Sequence, residues 1–137
     1  MKVITINISL LLSFIFSTAV LAQEALKKND RIIFLGDSIT AAGARKGGYI
    51  TLSSQAIAKA HPELNVKLIG VGIGGHKVPD CQKRLSKDVL QKKPSIVFIY
   101  LGINDVWHWT HPAVVARGKK GTTPEDFENG LKEMILK

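Results

Sequence analysis

Three short apolar runs, residues 32–35, 66–69 and 96–101, lie about one helix length apart, and each is followed at once by a glycine. The third, Ile96-Val97-Phe98-Ile99-Tyr100-Leu101, has no polar alternation, which is the pattern of a strand covered on both faces. Between and after the runs lie segments with helical spacing, residues 49–59, 79–92 and 124–136. Pro79 stands near the first turn of the second, where its missing N–H costs nothing. Thr123 is placed to cap the third ahead of Pro124, with Phe127, Leu131, Met134 and Ile135 on one face. Cys81, Leu85 and Val89 form an i, i+4, i+8 stripe, so the only cysteine reads as a thiol packed in a core, with no internal disulfide. Alternation of β and α at this spacing implies right-handed crossovers and a parallel sheet, with the third strand beside the first.

The start of the chain has a different character. Met1-Lys2 precedes a stretch, Val3 to Leu21, that is apolar apart from scattered hydroxyls and one Asn. Val20-Leu21-Ala22 supplies residues of the size a signal peptidase reads. Residues 1–22 are therefore expected to be a signal peptide cleaved after Ala22, with residues 23–137 exported to the periplasm or the medium. No stable membrane insertion is expected after cleavage, and no Cys follows the run to carry a lipid. The exported part holds 18 basic residues, the 19 of the whole chain less Lys2, against 11 acidic. These charges are spread along the chain rather than gathered into one block, so a solvated basic surface is expected and nucleic acid is not an expected partner.

Each strand tip carries a group that can do chemistry. After the first comes Gly36-Asp37-Ser38-Ile39, after the second Gly70-Val71-Gly72-Ile73-Gly74-Gly75, after the third Gly102-Ile103-Asn104-Asp105. In a parallel sheet all three tips emerge on one edge, where open α/β folds bind their ligands. Each has a structural reading as well. Asp37 or Ser38 can cap a following helix, the glycines can simply allow a tight turn, and Asn104 can form an Asx-turn. The glycine run contains G-x-G-x-x-G by letter, but a helix starting within it would run into Pro79, which argues against a dinucleotide site. Such a loop can instead bare backbone N–H groups toward an anion or a developing oxyanion. His108-Trp109-Thr110-His111 offers too few ligands for zinc.

In these three blocks, taken in order, the chain resembles the SGNH hydrolases, also called the GDSL esterase/lipase family. The resemblance implies a flavodoxin-like α/β/α sandwich and an exported serine ester hydrolase acting on small acyl or carbohydrate O-acyl esters. It matches Ser38 to the nucleophile, Gly75 to the oxyanion-hole glycine (with Gly72 the second choice), and Asn104 to the side-chain oxyanion donor. No metal or organic cofactor is implied, and the expected partner is a small-molecule or carbohydrate ester. The family's last block, an Asp three residues before a His, comes from a later segment. Asp105-Val106-Trp107-His108 fits it by letter but directly follows the Asn block, so His108 is expected to line the cleft with Trp107 and Trp109, and His76 to form a wall beside Gly75. His61 and His111 precede prolines and read as exposed loop residues. With three strands and an uncapped last helix, the chain is expected to be the N-terminal part of a larger domain. The rival reading is a non-catalytic exported module that keeps the pocket but has no general base.

Overall fold

The computed structural model describes residues 26–137; the expected signal peptide lies outside the described residues. Strand β1 (Arg31–Gly36) is followed by helix α1 (Ser38–Gly43) and helix α2 (Tyr49–Ala60). Strand β2 (Lys67–Gly72) leads to α3 (Val78–Asp88), and β3 (Ile96–Tyr100) to α4 (Ile103–Thr110), the short α5 (Pro112–Val115) and α6 (Pro124–Ile135). The sheet is parallel throughout, in the order β2-β1-β3, so the third strand does lie beside the first.

Alternation along β1 divides the two faces. Ile33 and Leu35 point to a core shared with Val78, Cys81, Leu85 and Val89 of α3 and its end, and with Met134 of α6. The stripe read from the sequence is therefore the spine of this core. Burial pushes the Cys81 thiol pKa up, which keeps it a packing group rather than a nucleophile. Phe34 points to the opposite face, stacked on Phe98 at 4.9 Å and edge-on to Tyr49 of α2. Helices thus cover both faces of the sheet, the α/β/α arrangement expected.

Several boundaries differ from those read in the sequence, each for a local reason. Strand β2 does not stop at Ile69 but runs through Gly70-Val71-Gly72, because these glycines let α1 and α2 approach the sheet. A Cβ on Gly72 would lie 2.2 Å from Ala41 N and 2.5 Å from Asp37 O. Helix α3, expected to reach Lys92, ends at Asp88, and a separate 3₁₀ turn, Leu90–Lys92, follows. Thr123 caps α6, its Oγ1 accepting from Asp126 N at 3.1 Å, and Phe127, Leu131 and Met134 face the core. Ile135, expected on that face, lies one position past the seam and is exposed. Helices α1, α4 and α5 carry too few residues for a hydrophobic period to show.

Candidate active site

The site forms where the three strands end. Asp37 is the N-cap of α1, its Oδ1 accepting from Ile39 N at 2.9 Å, and Ser38 is the first residue of that helix. The capping reading and the catalytic reading are therefore compatible: Asp37 caps, and Ser38 is presented with its side chain exposed. Asp37 itself is 1 % exposed. Its other oxygen, Oδ2, accepts from Asn104 Nδ2 at 3.3 Å. The same Nδ2 donates to the carbonyl of His76 at 3.1 Å. Asn104, 6 % exposed in the first turn of α4, is thus held between the residue before Ser38 and the residue after Gly75.

The glycine loop completes the convergence. Ile73 N donates to Gly36 O at 3.1 Å, which pins the start of the loop to the tip of β1. A Cβ on Gly74 would lie 3.8 Å from Ser38 Cβ, so this loop and the serine are neighbours. Gly75 has φ +78° with nothing within 4 Å of its missing Cβ, an open, left-handed position with its backbone bared. Gly72, by contrast, is inside β2 paired with Gly36 and packed under α1, where lack of a side chain serves packing. Ser38, Gly75 and Asn104 come together at one edge; Gly72 stands behind them.

A cavity of about 570 Å³ opens beside this edge, lined by Gly74, Gly75, His76, Lys77 and His108 among others. His76 therefore forms a wall beside Gly75, and His108 reaches the same cavity, as expected. The two tryptophans do not. Trp109 donates from Nε1 to Thr122 O at 3.0 Å and lines a separate apolar hollow with Val106 and Phe127, while Trp107 packs edge-on to His111. Helical geometry explains the split: His108 is flanked by both tryptophans in sequence, and adjacent helical residues face different ways. Asp105 is buried, and its Oδ1 accepts from Val78 N at 3.1 Å, at the start of α3. Among the described residues no hydrogen bond joins Asp105 to His108, and Asp105 Oδ2 and His108 Nδ1 are both buried without a partner. One oxygen of the Asp105 carboxylate thus serves a helix end, and neither makes a hydrogen bond to the imidazole. His61 and His111 are exposed, at the end of α2 and between α4 and α5.

The residue that sequence reasoning missed is Arg84, on α3. Its Nε donates to His76 Nδ1 at 3.2 Å, Nη1 to Val71 O at 2.6 Å and Asp88 Oδ2 at 3.0 Å, and Nη2 to Gly36 O at 2.9 Å and Cys81 Sγ at 3.2 Å. One guanidinium thus ties the ends of β1 and β2 to the residue after Gly75. Its signal in the sequence was faint: a cation one position before Leu85, on the margin of an apolar helix stripe. His76 has its pKa lowered below the ordinary 6.5, first by burial and then by the Arg84 charge, with Asp80 and Asp88 opposing. Among the described residues no group of three or more His, Cys, Asp or Glu side chains is arranged to hold a metal ion, and no helix is long and apolar enough to cross a membrane.

A parallel α/β/α domain with a serine, a bared glycine and an amide gathered at its carboxyl edge is the arrangement of an SGNH-type hydrolase. The profile of the GDSL-like lipase/acylhydrolase family matches residues 34–137, and the chain belongs to that family. It is 35 % identical over 118 residues to an acetylxylan esterase of Geobacillus stearothermophilus, covering 78 % of this chain and 53 % of that protein. The crystal structure of another acetyl xylan esterase superposes with a TM-score of 0.69 at 40 % identity, covering 77 % of this chain and 50 % of that one. The crystal structure of an acetylxylan esterase from Geobacillus stearothermophilus gives a TM-score of 0.71 at 27 % identity, with coverage of 81 % and 55 %. Catalytic mutants of that esterase replace an Asp, a His or a Ser by Ala. The chain spans about half the length of the relatives it matches.

Proposed function

We propose that this chain carries the nucleophile and oxyanion hole of an exported serine esterase that removes acyl groups from carbohydrate, with acetylated xylan as the model substrate. The observation that supports it best is the position of Asn104 Nδ2, between Asp37 and the His76 carbonyl, which makes the tips of all three strands one site. The acetylxylan esterases similar to this chain favour a carbohydrate ester over a lipid, and the leader-like start of the sequence favours export.

In the proposed reaction Ser38 Oγ attacks the ester carbonyl carbon as its proton passes to a histidine base. The carbonyl oxygen becomes an oxyanion, met by the N–H groups of Ser38 and Gly75 and by Asn104 Nδ2, whose longer bond to Asp37 Oδ2 at 3.3 Å must open for that N–H to turn to the oxyanion. Collapse breaks the bond to the sugar oxygen, which takes the proton from the base. Water then releases acetate from the acyl-serine by the same steps in reverse. The histidine and its orienting Asp belong, by family resemblance, to a D-x-x-H in a later segment. Neither His76 nor the Asp105/His108 pair is assigned that role.

The test is acetate release from acetylated xylo-oligosaccharide by the protein that carries this chain. Ser38→Ala is expected to abolish turnover, and Asn104→Ala to lower kcat by about 10²–10³, the usual effect of removing one oxyanion donor. Undiminished turnover in Ser38→Ala would overturn the reading. Residues 23–137 alone are expected to turn over p-nitrophenyl acetate very slowly, since positioned acid–base help contributes about 10²–10⁴-fold. Robust turnover that disappears in His108→Ala would reassign Asp105 and His108 as the catalytic pair.

A further inference from the structure

The contact between Arg84 and His76 has no part in the hydrolysis steps above, yet it determines which nitrogen of the imidazole carries a proton. A guanidinium has five donors and no acceptor. Because Arg84 Nε donates to His76 Nδ1 at 3.2 Å, Nδ1 must present its lone pair, and a neutral ring then carries its proton on Nε2. The arginine cannot swing away to relax this. Its side chain is 11 % exposed, and its four other N–H groups are held by Val71 O, Asp88 Oδ2, Gly36 O and Cys81 Sγ.

The backbone of His76 is fixed from both sides. Its N–H donates to Ile73 O at 3.2 Å, and its carbonyl accepts from Asn104 Nδ2 at 3.1 Å. Partial burial and the adjacent Arg84 charge both disfavour the imidazolium, so the ring stays neutral at neutral pH. Nε2 has no hydrogen-bond partner among the described residues, and it is absent from the buried unpaired atoms, so it reaches solvent. The residue lines the cavity together with Gly74 and Gly75. A donor of fixed direction therefore stands one residue past Gly75, the glycine that the proposed reaction assigns to the oxyanion.

We propose that His76 Nε2–H, held in that tautomer by Arg84, is a substrate-binding donor that engages a hydroxyl or ring oxygen of the sugar bearing the scissile acyl group. The inference rests on the esterase reading and sharpens it. An alcohol with neighbouring oxygens has an acceptor for this donor, whereas a simple alkyl ester offers none beyond the ester group itself. It also removes His76 as a general base, because one ring nitrogen already holds a proton and the other's lone pair is taken by Arg84.

The test uses the chain labelled uniformly with nitrogen-15, titrated with acetylated xylo-oligosaccharide and followed by NMR at both the backbone amides and the histidine ring nitrogens. The free protein is expected to show the Nε2–H tautomer of His76 at neutral pH, with the Nε2 resonance moving on binding. His76→Phe is expected to weaken binding about two- to tenfold, the contribution of one neutral hydrogen bond. His76→Gln, which keeps an amide donor near the Nε2 position, should retain most of the affinity, and the amide dispersion of each variant reports that it is folded. An Nδ1–H tautomer or an imidazolium in the native protein at neutral pH would overturn the proposal, as would unchanged affinity in His76→Phe. Binding that moves the amides of Ser38, Gly75 and Asn104 but leaves His76 Nε2 unmoved would overturn it while leaving the esterase reading intact. The absence of any shift at these residues would overturn both.

Discussion

Asn104 Nδ2 lies 3.3 Å from Asp37 Oδ2, so the residue before the candidate nucleophile is tied directly to the tip of the neighbouring strand. Asp37 also caps α1 through its other oxygen; the bond to Asn104 is buried and the capping bond partly so. Asp37→Ala removes the cap, which costs about 0.5–2 kcal/mol, and takes one of two acceptors from a buried amide, about 1 kcal/mol more. The variant is expected to lose about 1.5–3 kcal/mol of stability in urea denaturation. A change near zero would mean that α1 and Asn104 are held by other contacts.

Gly72 and Gly75 are expected to answer differently to the same substitution. A methyl on Gly72 meets three backbone atoms within 2.7 Å, none of which can move without shifting α1. Gly72→Ala should therefore cost about 3 kcal/mol, the upper end for overpacking a core. A methyl on Gly75 meets nothing, and only its left-handed φ of +78° is penalised, at about 1–2 kcal/mol. Paired chemical denaturation curves decide the order. Equal losses would mean that α1 is less firmly seated on β2 than these distances require.

Acid should weaken the fold through His76 before it acts on the carboxylates. The folded-state pKa of this histidine is depressed below its ordinary 6.5 by burial and by Arg84. Between the folded value and 6.5 the unfolded chain binds more protons, so stability rises with pH there. The contribution is fully present above about pH 6.5 and is lost progressively as the pH falls toward the folded-state value. In His76→Gln, unfolding free energy measured across this window should lose that slope. A wild-type curve that is flat from neutral pH down to the onset of carboxylate protonation would contradict the expectation.

The outer side of β3 predicts self-association. Phe98 and Tyr100 are 52 % and 54 % exposed, and β3 is an edge of the described sheet with its backbone groups unpaired on that side. Covering a large apolar side chain contributes about 1.5–3 kcal/mol, against about 5–15 kcal/mol for the stability of a whole domain. Residues 23–137 are therefore expected to form concentration-dependent oligomers in sedimentation velocity runs. Val97→Lys combined with Tyr100→Lys should shift them toward monomer, since lysine on an edge strand opposes pairing. A native chain that stays monomeric at high concentration would show that the edge is protected.

Much of the architecture was legible before any coordinates because it is governed by short-range pattern. Uniformly apolar runs ending at Gly36 and Gly102 read as strands, and alternation with helical stripes such as Cys81, Leu85 and Val89 implies parallel pairing. Cover on both faces, expected for both, holds for β1 but not for β3, which lies at the edge of the described sheet with most of its side chains exposed. The capping sites at Asp37 and Thr123 follow from side-chain oxygens reaching nearby N–H groups. The three strand-tip blocks were marked because tips in a parallel sheet share one edge, and Ser38, Gly75 and Asn104 were picked out within them by the resemblance to the SGNH hydrolases. What the sequence could not settle depends on contacts between distant residues. Whether Gly72 or Gly75 is bared was decided by α1 lying across β2. That His108 faces the cavity while Trp109 faces another hollow was decided by the roll of α4 on its neighbours. The Arg84 bridge joins residues 36, 71, 76 and 84, and such a constellation has no local signature, since it exists only after two strand ends and a helix have docked. The sequence by itself determined which elements form and which side chains stand at their ends. Tertiary structure alone decided how those ends are oriented, because that is set by packing and by hydrogen bonds across the sheet.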